Sequence, residues 1–199
     1  MPYQEVENVF LSAPELVNWM EEEVAASAKF RADYVTTMKP YVEAEAMPWE
    51  FCKQGILKHV LHENHNSREM CINIYQQLIL PNSKSGQHRH RAEEVLYVLE
   101  GSGYDLHYNT NLHCDKQYVF EWEEEPIKYE WEEGDFIYIP PYVVHQHFNA
   151  DPKHPVRLLS ATNRLVKAMG MGWLDQLGPC PEYPYFDGIK DKILGLIHR

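Results

Sequence analysis

The stretch 86–101, GQHRHRAEEVLYVLEG, restricts this chain more than any other. It sets His88 and His90 two residues apart, Glu94 four residues later, and a glycine at each end. On a β-strand alternate side chains share a face, so the two histidines point the same way. Neutral imidazole binds divalent metals well, and a carboxylate adds charge and a hard oxygen. A fourth donor stands in a second block, GDFIYIPPYVVHQHFN over 134–149, where His145 follows Pro140 and Pro141.

At these residues a family resemblance becomes specific. The first block resembles cupin motif one in His88, Arg89, His90, Glu94 and Gly101, and the second is similar to cupin motif two in Gly134, Pro140, His145 and Asn149. The chain departs from the family pattern at two turns. Asn82 stands where the family usually has its leading glycine, with Gly86 nearer the histidines, and Tyr142 stands where it usually has a small residue. Neither departure touches a ligand. The resemblance implies a mainly β chain: a single jelly-roll-like cupin β-barrel over 51–165, an N-terminal helical extension over 1–50 and a C-terminal helical tail over 166–199. It also implies one divalent metal per chain, held by His88, His90, Glu94 and His145. The competing interpretation is a barrel whose histidines are only structural.

The bulk properties narrow the class. A chain of 199 residues with 44% hydrophobic content suits one medium globular domain with decorations. A net charge of −12 disfavours binding to nucleic acid or to an anionic membrane, because phosphates demand a basic footprint. No apolar run approaches the roughly 18 residues of a spanning helix, so no membrane span is expected. The N-terminus lacks a basic region followed by an apolar core, which leaves the cytoplasm as the expected compartment. The four cysteines show no CxxC spacing and read as reduced thiols, although Cys114 beside His113 is open to a soft metal.

Two helices are expected ahead of the barrel. Ser12 caps the first, over 12–26, with Glu15 closing a capping box and an apolar stripe at Leu16, Trp19, Met20 and Val24. The second, over 27–38, stops before Pro40. The stripe must be buried somewhere: the helices either cap the barrel or meet a second subunit, and the cupin resemblance implies a homodimer with the 12–26 helix at or near the contact. Strands are expected at GILKHVLHE, MCINIYQQLIL, VLYVLEG, YDLHY, DFIYIP and PVRLLSAT. The insertion 109–133 suggests an extra hairpin between YVFEW and IKYEW, with its acids facing solvent. Beyond Asn163 a helical segment leads to a Gly/Pro-rich loop, and Phe186 to Ile197 reads as an amphipathic helix. His59, His62 and His65 divide between a weak second metal site and ordinary surface or packing histidines.

Three imidazoles and one carboxylate leave one or two positions open on a five- or six-coordinate metal, the mark of a catalytic rather than a closed site. The donor set suits Fe(II), Mn, Ni, Co or Zn. The cupin resemblance therefore implies a mononuclear non-haem metal enzyme, foremost an Fe(II) dioxygenase acting on a small chelating aromatic or enol substrate. The alternatives are a redox-silent metal-dependent lyase or isomerase and a non-catalytic small-molecule binder. His147 shares the face of His145 by strand parity and is a candidate catalytic helper, together with Tyr138 and, less directly, Gln146. Tyr75, Phe136 and Tyr138 either wall a pocket or pack in the core. Leu96 and Val98 should face inward with Glu94, and Tyr97 outward.

Overall fold

The computed structural model describes residues 19–68, 71–113 and 119–197. The chain divides into two compact units, Met1–Lys39 and Pro40–Arg199. In the first, helix α1 (Trp19–Thr36) runs unbroken through Ser27, where the sequence suggests a boundary between two helices. Serine in a helix interior costs only tenths of a kcal/mol, about 0.5, and nothing else there stops propagation. The helix ends ahead of Pro40, as expected, and its residues Met20 and Val24 are exposed. The expected cap at Ser12 lies outside the described residues.

Among the described residues the second unit holds thirteen strands. They are β1 (Trp49–Cys52), β2 (Gly55–Leu61), β3 (Ile72–Ile79), β4 (Gln87–His90), β5 (Glu94–Glu100), β6 (Ser102–Tyr108) and β7 (Thr110–His113). There follow β8 (Val119–Trp122), β9 (Ile127–Glu132), β10 (Phe136–Ile139), β11 (Val144–Phe148), β12 (Val156–Asn163) and β13 (Leu174–Gly178). A C-terminal helix α2 (Phe186–Ile197) closes the chain where the sequence places it. Six strands form one sheet in the order β1-β2-β3-β12-β5-β10, and five form another in the order β13-β4-β11-β6-β9. Every pairing is antiparallel in the described residues, and the crossovers that set β12 between β3 and β5 give jelly-roll-like connectivity. The two sheets do not close into one hydrogen-bonded barrel.

Alternation along the strands sorts the side chains. Leu96 and Val98 are buried with Glu94, while Val95 and Leu99 are exposed and Tyr97 is half-buried against Phe136. Ile79, Leu96, Val98, Ile139, Val156 and Leu158 meet Trp131 of the opposite sheet to make the dry half of the interior. Leu78 and its neighbour Ile79 are both buried, on opposite faces of β3. The outward Leu78 packs with Ile56 under Phe186 and Ile193 of α2, and the Phe186 ring stacks on Phe51 at 5.2 Å. The centre of the six-stranded sheet is thus covered on both sides, which is why the run LIL there does not alternate.

Two expected elements are replaced. IKYEW does not pair with YVFEW: β9 pairs with β6, and β8 pairs with β7. Trp131 decides this, because its buried ring crosses Gly103 and its indole N–H donates to Asp105 of β6 at 2.9 Å. A Cβ on Gly103 would lie 2.4 Å from the ring and 2.1 Å from the carbonyl oxygen of Phe148, so only glycine fits. The acids of the insertion are exposed, as expected. After Asn163 there is a single wide helical turn over Lys167–Met171, followed by β13, which extends the sheet beside β4. Gly170 and Gly172 limit the helix there.

The two departures from the family pattern fall on the two non-glycine residues with positive φ among those described, Asn82 (φ 53) and Tyr142 (φ 68). Asparagine tolerates the left-handed region well and a bulky tyrosine does not. Tyr142 is held there because its N–H donates to the carbonyl of His90 at 2.8 Å and its own carbonyl accepts from Thr110 and Trp122. Truncation of the ring that anchors α2, Phe186→Ala, is expected to cost about 3 kcal/mol. Chemical denaturation of the two proteins measures the difference, and a change below about 1 kcal/mol would mean that α2 is not part of the cooperative unit.

Candidate metal centre

The five-stranded sheet supplies three histidines. His145 of β11 sits directly opposite His88 of β4, and the two-residue period carries His90 to the same face. Glu94, the first residue of β5, reaches in from the six-stranded sheet. All four are buried, Glu94 at 1% exposure and His145 at 0%. One donor atom from each lies within 4.8 Å of all the others. Two bonds of about 2.1 Å on opposite sides of an ion span about 4.2 Å, so a group of this size could hold one cation after the donors draw in by a few tenths of an ångström.

The hydrogen bonds around the group fit a metal. His88 Nδ1–H donates to the carbonyl of Gly86 at 3.2 Å, His90 Nδ1–H to that of Ala92 at 2.8 Å, and His145 Nδ1–H to that of Val143 at 3.0 Å. Each ring is thereby held in the tautomer that leaves Nε2 bare toward the centre. His145 Nε2 is buried without a hydrogen-bond partner, 3.6 Å from Glu94 Oε2. Gly86 is needed for the first of these bonds, since a Cβ there would lie 2.3 Å from the carbonyl oxygen of Lys53. Glu94 Oε1 accepts hydrogen bonds from Tyr75 at 2.8 Å and from Ser160, which leaves Oε2 to the cation.

The titration behaviour agrees. Burial holds His88 well below the ordinary imidazole pKa, with His145 adding to the effect, and burial likewise lowers His145 against the pull of Glu94. Burial favours the acid form of Glu94, yet His145 and His90 outweigh it and hold the carboxyl well below its usual range. His90 goes the other way: burial opposes its cation, but Glu94, 2.9 Å from Nε2, prevails and raises it. A proton taken up at His90 Nε2 would lie between this ring and Glu94, where a metal would sit, and would have to leave when the metal binds.

Behind His145 lies a second polar group. His147, fully buried, donates from Nδ1 to Asp105 Oδ1 at 2.8 Å, and Asp105 Oδ2 stands 3.3 Å from His107 Nε2. Burial opposes the charge of Asp105, but His147, His107 and Trp131 together hold the carboxyl below its usual range. Burial likewise opposes the His147 cation, and Asp105 outweighs it to raise that pKa. His147 Nε2 has no partner. The expected inward orientation of His147 is thus realised. Tyr138 is not at the site: it is 53% exposed on the outer face of β10 and its hydroxyl meets Glu93. Phe136, at 72%, shares that face, because Ile137 and Ile139 take the inward positions. Gln146 is tied to the carbonyl of Ser85, and Asn149 clamps a turn through Ile79, Leu80 and His154.

Ser160 and Asp105 were not singled out as site residues from the sequence, although both carried a signal, and Tyr75 was named only as a pocket wall or core aromatic. Ser160 interrupts an apolar strand at an inward position, and Asp105 does the same in β6. His59, His62 and His65 come together at ring separations of 5.0 and 6.4 Å, with His59 bound to Glu50, but they form no metal-capable group among the described residues. Cys52, Cys71 and Cys180 are free thiols, and Cys114 lies outside the described residues. A cavity of about 430 Å³ opens onto His88, His90 and Tyr75.

Residues 75–162 match the family model described as Cupin domain. That stretch is similar to a cupin domain. Its solved neighbours include vicilin from Corylus avellana (hazelnut), with a TM-score of 0.49 at 18% identity, covering 62% of this chain and 33% of that one. They also include a mutant oxalate decarboxylase from Bacillus subtilis, with a TM-score of 0.49 at 15% identity and coverage of 64% and 30%. A salicylate 1,2-dioxygenase from Pseudaminobacter salicylatoxidans has a TM-score of 0.44 at 15% identity and coverage of 59% and 30%. The chain spans about a third of the length of each of these neighbours. No curated protein matches it.

Two outcomes test the metal centre. The double variant His88→Ala, His90→Ala should purify without stoichiometric metal by elemental analysis, whereas Glu94→Gln, which keeps an oxygen donor, should retain part of it. Acidification should release metal from the native protein as His90 gains its proton, so dialysis at pH 5 should empty a site that stays loaded at pH 8. Equal occupancy at both pH values would contradict the shared-proton arrangement.

Proposed function

We propose that the cupin-like domain is a mononuclear non-haem metal enzyme, an Fe(II) dioxygenase acting on a small chelating aromatic or enol substrate. The observation that carries this is the buried His88, His90, Glu94 and His145 group with its histidine edge open to a cavity large enough for a single-ring molecule. Three imidazoles and a carboxylate fit Fe(II), and also Mn, Ni, Co or Zn. Fe(II) bound there would supply one-electron chemistry toward dioxygen and charge to hold chelating oxygens.

The chain's own residues have separate tasks. Tyr75 and Ser160 hold Glu94 so that one carboxylate oxygen is presented. Burial and Glu94 push the Tyr75 hydroxyl well above the ordinary phenol value, so it remains a hydrogen-bond donor at neutral pH. Val166, Trp173 and Leu174 form an apolar wall for a ring. His147, steadied by Asp105, is a positioning group behind His145 that can hold a proton at Nδ1. Tyr138, on the outer face, has no part in it, and Tyr75 is the inward aromatic hydroxyl instead.

The same interpretation carries a cytoplasmic homodimer with the N-terminal helix at or near the contact, its partners small molecules rather than nucleic acid or membrane. The charge of −12 supports this, and no helix among the described residues is long and apolar enough to cross a membrane. Protein reconstituted with Fe(II) should consume oxygen with a member of a panel of catechols, hydroxybenzoates and enols. Turnover with Zn(II) in the absence of oxygen would instead support a lyase or isomerase, and binding without turnover a small-molecule binder. His147→Ala should keep its metal and lose roughly 10²-fold in turnover, the scale of an acid–base or positioning group.

A further inference from the structure

Strand β3 brings an uncommitted amide to the cavity. Asn73 and Tyr75 lie two residues apart on it, so their side chains share a face, and both line the cavity with His88 and His90. Their situations differ. The Tyr75 hydroxyl is committed to Glu94 Oε1 at 2.8 Å. Asn73 Oδ1 is buried with no hydrogen-bond partner among the described residues. In the sheet register Asn73 stands opposite Thr162 of β12, and Thr162 stands opposite Glu94 of β5. With neighbouring strands about 4.8 Å apart, the Asn73 backbone lies about 10 Å from that of Glu94 across the sheet. That span suits one ring with a substituent at each end.

The residue is a poor choice for structure alone. Asparagine is depleted in strands, because its amide competes with the backbone and packs badly on a pleated surface. A buried acceptor left unsatisfied costs more than a made hydrogen bond contributes, whereas an apolar side chain of the same shape carries no such penalty. Asn149, the comparable amide of the second sheet, is fully answered: it donates to the carbonyls of Ile79, Leu80 and His154 and accepts from the N–H of Asp151. A local cost without structural benefit, on the wall of a cavity, is where a ligand contact belongs. The atom also fixes the polarity of that contact. An amide oxygen only accepts, so the group that meets it must donate: an O–H or N–H, not an ether or a carboxylate. Val166, Trp173 and Leu174 on the cavity wall accommodate the ring itself.

We propose that Asn73 sets the specificity of the cavity, and that its ligand is a single-ring molecule carrying, beyond its chelating oxygens, a hydroxyl or amino group whose hydrogen Asn73 Oδ1 accepts. The chelating oxygens face the His88 and His90 edge, and the donor faces β3. This rests on the metal-enzyme reading above, and the test separates the two.

Protein loaded with Zn(II), which leaves the ligand unoxidised, is titrated by calorimetry without oxygen. The ligands are pyrogallol and 1,2,4-trihydroxybenzene, each against its methoxy counterpart, 3-methoxycatechol or 4-methoxycatechol, with catechol as the smaller control. Each pair shares its chelating oxygens and a third oxygen at the same ring position, and differs in the hydrogen. One hydroxy ligand should bind about tenfold tighter than both its methoxy counterpart and catechol, the scale of one hydrogen bond to an otherwise unsatisfied group. Asn73→Leu removes the acceptor at nearly constant size. It should bring that ratio close to one, while thermal unfolding of the ligand-free protein stays level or moves to higher temperature. Asn73→Asp keeps an acceptor in the same place and should keep the preference. Equal affinities in the native protein overturn the proposal, as does an Asn73→Leu protein that keeps the native ratio. If Asn73→Leu does not fold, loss of the preference in Asn73→Asp overturns it instead. Catechols that bind only with Zn(II) but without any preference leave the metal-enzyme reading standing and remove the role of Asn73. Failure of all five ligands to bind, or binding indifferent to Zn(II), overturns both.

Discussion

A carboxylate held in the protein interior is the constraint on which the rest of this structure depends. Removing Glu94 from water costs several kcal/mol unless its charge is answered. Two hydroxyls, from Tyr75 and Ser160, answer one oxygen, and His90 answers the other at 2.9 Å, with the His145 ring beside it. These partners come from four strands in two sheets, so the charge can be buried only if β3, β5 and β12 of one sheet meet β4 and β11 of the other in a single register. A metal ion held there would take the place of a proton between His90 and Glu94.

The interior is accordingly divided. One half is dry, built on Leu96, Val98, Ile139 and Leu158. The other is polar and contains two buried carboxylates, Glu94 and Asp105, each with its own histidines. Asp105 does for the second sheet what Glu94 does for the site. It gathers His147, His107 and Trp131, and through Trp131 it selects the pairing of β9 with β6. The polar half is costly to bury and is cross-linked by hydrogen bonds, which keeps it rigid beside a close-packed core. The bound histidine Nδ1 atoms show the same economy, since each uses a carbonyl two residues away and needs no second side chain.

The turns complete the site from outside the strands. Tyr142, forced into a left-handed conformation, carries the chain from Pro140 and Pro141 to His145 while hydrogen-bonded to the backbone of His90. The two ligand-bearing segments are thereby tied together at their ends as well as across His88 and His145. Arg89, on the opposite face of β4 from the ligands, lies between the rings of Trp122 and Trp173 and pairs with Asp175 of β13. This anchors β13, and with it the Trp173 side of the cavity.

The four residues that the structure gathers, the strands that bear them and the C-terminal helix were named from the sequence, because each block depends on local spacing and on the cupin resemblance. His88 and His90 share a face by the two-residue period of any strand, Leu96 and Val98 follow Glu94 inward for the same reason, and 186–197 carries its own helical pattern. What sequence could not order were choices between partners distant along the chain. The pairing of β9 with β6 rather than β8, the strand β13 in a stretch that looked helical, and the outward face of Tyr138 all depend on which neighbour offers better burial. That Tyr75 anchors Glu94 is invisible until β12 joins β3 to β5 in one sheet and the hydroxyl reaches the carboxylate directly. Local periodicity is set by backbone geometry and can be read one residue at a time. Register between strands is set by the burial of side chains such as Trp131 and Glu94 against partners up to 66 residues away, and only the folded chain decides it.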